Sequence, residues 1–263
     1  MERGILVEPI LEIEAVSLQF GGVKALDDVT YHIKKGEIFS LIGPNGAGKT
    51  SMLNCISGLY QPTSGSIRYK GQEIVNMKPY HRTTLGIARA FQNIALFAHM
   101  SVLDNLKLGR HTLMNSGAIS GGLYVGKAAK EEIEHRRKVE EVIEFLELQD
   151  IRHTPVGTLP YGLQKRVEVG RALALGPELI LLDEPMAGMN NAEKDLMARF
   201  ILDMHEVMDI TVVLIEHDLG IVMNLSDHIA VLDFGKRIGF GTPEEIQKNP
   251  DVIRAYIGEE TVI

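Results

Sequence analysis

The sequence predicts an α/β fold centred on a mostly parallel sheet with both faces covered, and three observations carry that prediction. Short apolar runs, IFSLI, LILL and TVVLI, recur along the chain between polar turns, as fully buried strands do. Segments with helical spacing separate them. Strand and helix alternate over most of the 263 residues, the order that a parallel sheet with crossover helices requires.

From Leu11 to about Arg68, alternating runs such as LEIEAVSLQF and the apolar IFSLIG are separated by Gly and Asp turns and lead into one helix, TSMLNCISGL. This reads as the first half of an α/β core. Between Asn93 and roughly Leu159 the pattern turns helical, most clearly from Lys127 to Leu148. There Ile133, Val142, Ile143 and Leu146 are expected to share an apolar face, with Glu132 and Arg136, and Glu134 and Lys138, at the helix-surface spacing of four on a solvated face. The stretch Asn115 to Gly126, with four glycines and two serines, reads as a loop. From Val167 onward a helix, the run LILLD, a helix, the run TVVLIEH, another helix and the strand-like HIAVLDFGKRIGFG complete the core.

Composition narrows the function. The net charge of -8, from 27 Lys+Arg against 35 Asp+Glu, supplies no basic field for a nucleic-acid backbone, so DNA or RNA is not expected as the main partner. The single cysteine, Cys55, excludes an internal disulfide framework and reads as a small buried residue on a helix. No stretch approaches the roughly 18 continuous apolar residues of a membrane span, and the start MERGILVEPI lacks the blocks of a secretory signal. If a membrane is involved, other chains are expected to cross it.

The chemistry begins at Gly43-Pro44-Asn45-Gly46-Ala47-Gly48-Lys49-Thr50, two glycines with four residues between them and then Lys and Thr, the pattern of a phosphate-binding loop. Glycine lets the backbone fold closely round phosphate oxygens so that successive N–H groups converge on the anion. A helix starting near Lys49 adds its positive end. Lys49 is expected to reach the β and γ phosphates of ATP and Thr50 to ligate Mg²⁺, with Ser51 completing the nucleotide-binding set. Such a loop alone leaves kinases, GTPases and many ATPases open.

In the second half, Leu179-Ile180-Leu181-Leu182-Asp183-Glu184 is a buried strand ending in two carboxylates, the arrangement needed to hold a hydrated Mg²⁺ and to orient a water for in-line attack on the γ phosphate. Asp183 is assigned to the metal and Glu184 to the water as general base.

Shortly before that strand lies Leu159-Pro160-Tyr161-Gly162-Leu163-Gln164-Lys165-Arg166-Val167-Glu168, followed by Gly170-Arg171-Ala172-Leu173. Here the sequence resembles the ABC ATPase family, whose signature is Leu-Ser-Gly-Gly-Gln followed by a basic helix and this carboxylate strand. The resemblance covers nearly the whole chain. It implies a P-loop NTPase (RecA-like) core with an N-terminal antiparallel β subdomain and an inserted α-helical subdomain. The expected division is 9–92 for the first half of the core with its β subdomain, 93–165 for the helical insertion ending in the signature, and 166–263 for the second half with a C-terminal extension. Phe20 lies where the family stacks an aromatic on adenine. Gln92, in Ala-Phe-Gln, matches the family's glutamine loop and is implied in catalysis and at the metal. His217, in Ile-Glu-His-Asp, matches its switch histidine.

The resemblance also implies that nucleotide sits between two ATPase subunits, with the phosphate loop, Gln92, Asp183, Glu184 and His217 of one facing Tyr161 and Gly162 of the other. This chain departs from the signature, because Pro160 replaces the serine, Tyr161 the first glycine and Leu163 the glutamine. Asn190 stands where many relatives carry aspartate. Tyr-Gly before Gln-Lys-Arg, the run Asp-Glu-Pro-Met-Ala-Gly-Met-Asn and the ending Gly-Thr-Pro-Glu-Glu-Ile to Ile-Gly-Glu look like the larger ATPase of branched-chain amino-acid importers. That branch implies a second ATPase subunit, identical or related, transmembrane permeases, a substrate-binding protein outside, and a peripheral place on the cytoplasmic face of the inner membrane. Phe97 and Met100 are the expected groove for a permease helix. ATPases of urea importers or lipopolysaccharide exporters are the nearer alternative, and a non-transport ABC ATPase or a P-loop kinase or GTPase the more distant one.

Overall fold

The computed structural model describes residues 9–110 and 127–260. The glycine-bearing stretch from Asn115 to Gly126 and the first eight residues therefore lie outside the described residues. A four-stranded antiparallel sheet comes first, made from β1 (Pro9–Phe20), β2 (Val23–Lys34), β4 (Ser64–Tyr69) and β5 (Gln72–Glu73) in the order β2-β1-β4-β5. The second sheet has six strands in the order β10-β9-β3-β8-β7-β6, from β3 (Ile38–Ile42), β6 (Ile87–Ala90), β7 (Leu179–Asp183), β8 (Thr211–Ile215), β9 (His228–Asp233) and β10 (Lys236–Gly241). All its pairings are parallel except the β9–β10 hairpin at one edge.

The apolar runs are strands buried on both faces because alternate residues serve two different cores. Leu179 and Leu181 of β7, with Val213 and Ile215 of β8, pack with Met52, Leu53 and Ile56 of helix α1 (Lys49–Ser57) and with the antiparallel sheet. Ile180, Leu182, Val212 and Leu214 face the other way, onto the remaining helices. That alternation is the two-residue period of a strand, and each fully buried Leu or Ile contributes about 1.5–3 kcal/mol of transfer free energy. Cys55 is fully buried on α1, and burial pushes its thiol up to about 12.

Short α2 (Pro79–Thr84) precedes β6, and α3 (Val102–Gly109) and α4 (Lys127–Phe145) follow it. Helix α5 (Tyr161–Leu173) leads into β7, and α6 (Asn191–Glu206) and α7 (Leu219–Leu225) flank β8. The small α8 (Pro243–Gln247) and α9 (Pro250–Glu260) close the chain. One expectation for α4 fails. Val142, Ile143 and Leu146 are buried as expected, but Ile133 is 68% exposed, because the core that α3, α5 and α6 offer reaches only the second half of α4. The charged side is a solvated face as expected, with Lys138 paired to Glu141 at 3.1 Å and Arg137 to the other Glu141 oxygen. These are exposed pairs, each worth about 0.3–0.5 kcal/mol, and near neighbours exchange them freely.

No helix among the described residues is long and apolar enough to cross a membrane.

Candidate nucleotide site

Four neighbouring parallel strands, β3, β8, β7 and β6, end on one edge of the larger sheet, the edge where open α/β sheets place their ligands. β3 delivers the loop of residues 43–48. β7 delivers Asp183 and Glu184, β8 leads to Glu216 and His217, and β6 leads to Phe91 and Gln92.

The loop has the local geometry that its glycines predict. Gly43 has φ +146°, and a Cβ there would overlap the Leu232 carbonyl oxygen. Gly48, at φ +103°, caps the N-terminus of α1 without a side-chain hydrogen bond, and no acidic residue lies in the first turn. The first turn of the helix thus presents its positive end to an anion with no carboxylate beside it. Lys49 is 6% exposed, and its Nζ donates to the carbonyls of Gly43 at 2.6 Å and Pro44 at 2.9 Å, so the ammonium sits inside the curve of the loop. Asn45 and Gly46 are exposed at the rim and Ala47 is buried. Thr50 is exposed and Ser51 half-buried at the start of α1.

Asp183 ends β7 with its side chain 1% exposed. Its Oδ2 accepts from Arg89 Nη2 at 2.8 Å, while Oδ1 is buried with no partner. An orphaned buried carboxylate oxygen suits a hard cation such as Mg²⁺, which takes oxygen ligands and retains waters. Burial pushes the Asp183 carboxyl up, and Arg89 opposes that shift. The same guanidinium donates to Asn54 Oδ1 at 2.6 Å and Ser57 Oγ at 3.0 Å, tying the carboxylate strand to α1.

Glu184 leaves the strand in a left-handed conformation, φ +52°, that a non-glycine residue adopts only at a cost of order 1–3 kcal/mol. Its N–H donates to the Ile215 carbonyl at 2.9 Å. The conformation turns the carboxylate between two partners. Gln92 Nε2 donates to Oε2 at 2.7 Å, and His217 Nε2 lies 2.8 Å from Oε1. Three residues predicted separately from the sequence therefore meet at one carboxylate, which is 13% exposed beside a half-exposed His217.

Phe20, at the end of β1, is 48% exposed and stands edge-on to Tyr60 with ring centroids 5.1 Å apart. The signature residues sit elsewhere. Pro160 caps α5 with no side-chain hydrogen bond, half-exposed Tyr161 lies against Gly188, and the Glu193 carboxylate abuts Gly162 so closely that a Cβ there would collide with it. Asn190 caps α6 in a reciprocal box with Glu193. Phe97 is exposed and Met100 half-buried, but neither lines the cavity of about 320 Å³ between β6, α2, α3 and α5, which is walled by Leu59, Phe91, Leu108 and Arg171 among others.

Sequence reasoning missed Arg89 and Lys165. Arg89 left a signal, an arginine inside the apolar strand Ile-Ala-Arg-Ala, whereas Lys165, 1% exposed on the first turns of α5, lies in the charged run Gln-Lys-Arg and left none. A charge in a segment that otherwise buries itself has a partner to reach.

Comparison with known proteins agrees with this geometry. A family model described as "ABC transporter" matches residues 26–187, and one described as "Branched-chain amino acid ATP-binding cassette transporter" matches residues 236–262. The chain is 39% identical over 251 residues to a high-affinity branched-chain amino acid transport ATP-binding protein, BraF, of Pseudomonas aeruginosa, covering 95% of this chain and 98% of the other. It is 37% identical to LivG of Escherichia coli, with 96% and 99% covered. Among solved structures it is similar to a nucleotide-free ATP-binding cassette from an ABC transporter, at TM-score 0.83 and 34% identity over 95% of this chain and 100% of the other. It is also similar to a bacterial ABC transporter cassette solved as a dimer, at TM-score 0.75 and 26% identity over 89% and 98%.

Proposed function

Because this chain belongs to the ABC transporter family, we propose that it is the ATP-binding and ATP-hydrolysing subunit of an importer for branched-chain amino acids. It serves separate membrane permeases and pairs with a second ATPase subunit, as the solved dimeric cassette does. The observation that carries the reading is the meeting of Gln92, Glu184 and His217 at the strand ends that also bear the phosphate loop.

The division of labour follows from the geometry. The loop N–H groups and the start of α1 bind the phosphate oxygens of ATP, and Lys49, already inside the loop, turns from the Gly43 and Pro44 carbonyls to the β and γ phosphates. Phe20 supports the adenine. Thr50, Asp183 and Gln92 would hold Mg²⁺, which when bound neutralises charge on the β and γ oxygens. Glu184 orients the attacking water and takes its proton, and His217 fixes the carboxylate from the side opposite Gln92.

Tyr161 and Gly162 face the nucleotide of the partner subunit, and a related ATPase carrying an intact signature is the partner that best completes this chain's own loop. The cavity walled by Leu59, Phe91, Leu108 and Arg171 is the seat for a cytoplasmic helix of the permease, and the family's arrangement supports a peripheral position on the cytoplasmic face of the inner membrane with a substrate-binding protein outside. The test is reconstitution of the full complex in vesicles. ATP-dependent uptake of leucine, isoleucine and valine is expected, and ATP hydrolysis with uptake of none of them would overturn the assignment of substrate.

A further inference from the structure

The segment that carries Gln92 has no regular structure of its own, and α5 holds it with three side chains. Lys165 Nζ donates to the Gln92 carbonyl at 2.5 Å and lies 3.5 Å from the Glu184 carbonyl. One turn on, Glu168 Oε1 accepts from the Ala95 N–H at 3.4 Å. A further turn on, Arg171 Nη1 donates to the Ala95 carbonyl at 2.5 Å. Positions three apart on a helix stand above one another, so the three make one polar stripe along α5. Two of them are deep: Lys165 is 1% and Glu168 2% exposed. Arg171 also walls the cavity of about 320 Å³, next to Phe91, so the stripe runs from that cavity to the residues on either side of the catalytic contact.

We propose that Lys165, Glu168 and Arg171 form a ladder that sets the Gln92–Ala95 segment in register with Glu184, with Lys165 as a positioning residue for hydrolysis. Gln92 and Glu184 touch through side chains at 2.7 Å, but that contact holds only while both backbones are fixed, and one of them is in a strained left-handed conformation. A buried ammonium has to find acceptors, and the two carbonyls nearest Lys165 belong to those two residues. Burial pulls the Lys165 ammonium below the usual lysine range, and the Glu168, Glu216, Glu184 and Asp183 carboxylates oppose that shift. A rotation or shift of α5 therefore moves the glutamine and the base together on one side and strains their contact on the other. This reading rests on ATP hydrolysis at Glu184, but the ladder itself is a statement about the ligand-free fold.

The experiment uses the full chain and three variants, Lys165→Met, Lys165→Arg and Arg171→Ala, with two readouts. In steady-state ATP hydrolysis, Lys165→Met is expected to lower kcat by about 10²-fold, the effect of displacing a catalytic group by roughly 1 Å, with KM for ATP changed less than about threefold. Lys165→Arg is expected to recover most of the loss. In hydrogen exchange without nucleotide, the peptide spanning 92–97 is expected to exchange faster in Lys165→Met and in Arg171→Ala, with β3 and β7 unchanged. Unchanged exchange at 92–97 in both variants would overturn the ladder. A fall in kcat accompanied by equal loosening of β3 and β7 would reduce Lys165 to a structural role and overturn it as well. Absence of hydrolysis by the wild-type chain would count against the proposed function, while the exchange readout would still decide the ladder.

Discussion

Two helix N-termini in this chain invite phosphate, and they are built differently. At α1 the cap is Gly48 and the approach is a glycine loop whose curve encloses the Lys49 ammonium. Every element of that site belongs to consecutive residues, so it is complete within one chain. At α5 the cap is Pro160, which has neither a hydroxyl nor an N–H, and the Glu193 carboxylate already rests on Gly162. The second terminus keeps the backbone donors of its first turn and loses the side-chain donor. Both are helix dipoles, but only the first combines dipole, cation and loop donors. The difference teaches that the first terminus is the better built for phosphate and that, under the proposed function, the contact in trans depends on what the partner supplies.

The largest expected effect tests the cis side. Glu184→Gln retains a side chain that can stay between Gln92 and His217 but removes the base, so turnover is expected to fall by about 10²–10⁴-fold while ATP still binds and holds the dimer together. Size-exclusion chromatography with and without ATP, beside a phosphate-release assay, measures both halves. Near-normal turnover would take the base role from Glu184.

Pro160→Ser tests the trans side. Restoring one donor to a developing oxyanion is worth up to about 10²-fold where the donor is limiting. A rise in turnover of the isolated chain is expected, by about tenfold because the backbone donors remain. An unchanged rate would mean that the two termini are more alike in function than in construction.

The third effect is smaller. Phe20 presents about half its surface beside Tyr60. Phe20→Ala is expected to weaken ATP about three- to tenfold, the range of one aromatic contact, and to leave inorganic triphosphate binding unchanged. Equal weakening of both ligands would turn Phe20 into a packing residue for the antiparallel sheet.

How far the sequence foretold these sites follows from the same contrast. The cis site was legible because its parts are local: a loop, the helix that follows and a strand ending in carboxylates are each contiguous. The parallel sheet was legible from apolar runs too short for anything but buried strands. The convergence of Gln92, Glu184 and His217 came from resemblance, since residues 92 and 217 are separated by nearly half of the chain and no spacing rule joins them. Arg89 and Lys165 were missed because their partners are long-range, a carboxylate on another strand and two main-chain carbonyls, and carbonyls leave no trace in a sequence. Ile133 was misplaced for a related reason. Helical periodicity says which residues share a face, but the neighbours decide how far along the helix that face is covered.

The smallest effect comes from Glu193, which makes it the sharpest probe of the second terminus. Its carboxylate accepts from the Asn190 N–H at 3.1 Å in the α6 cap and lies against Gly162 at the start of α5. A negative group there stabilises α5 in the monomer by about 0.3–1 kcal/mol and, by the same field, repels a phosphate brought by the partner. Glu193→Gln keeps the capping geometry, since an amide serves that box as well as a carboxylate. The variant is therefore expected to lower the melting temperature slightly and to tighten the ATP-dependent dimer about two- to fivefold, measured in the Glu184→Gln background. Both changes should shrink in high salt, because an exposed charge is screened within about 10 Å at 0.1 M. Tightening that survives high salt would point to altered packing against Gly162 and remove Glu193 from the electrostatic difference between the two termini.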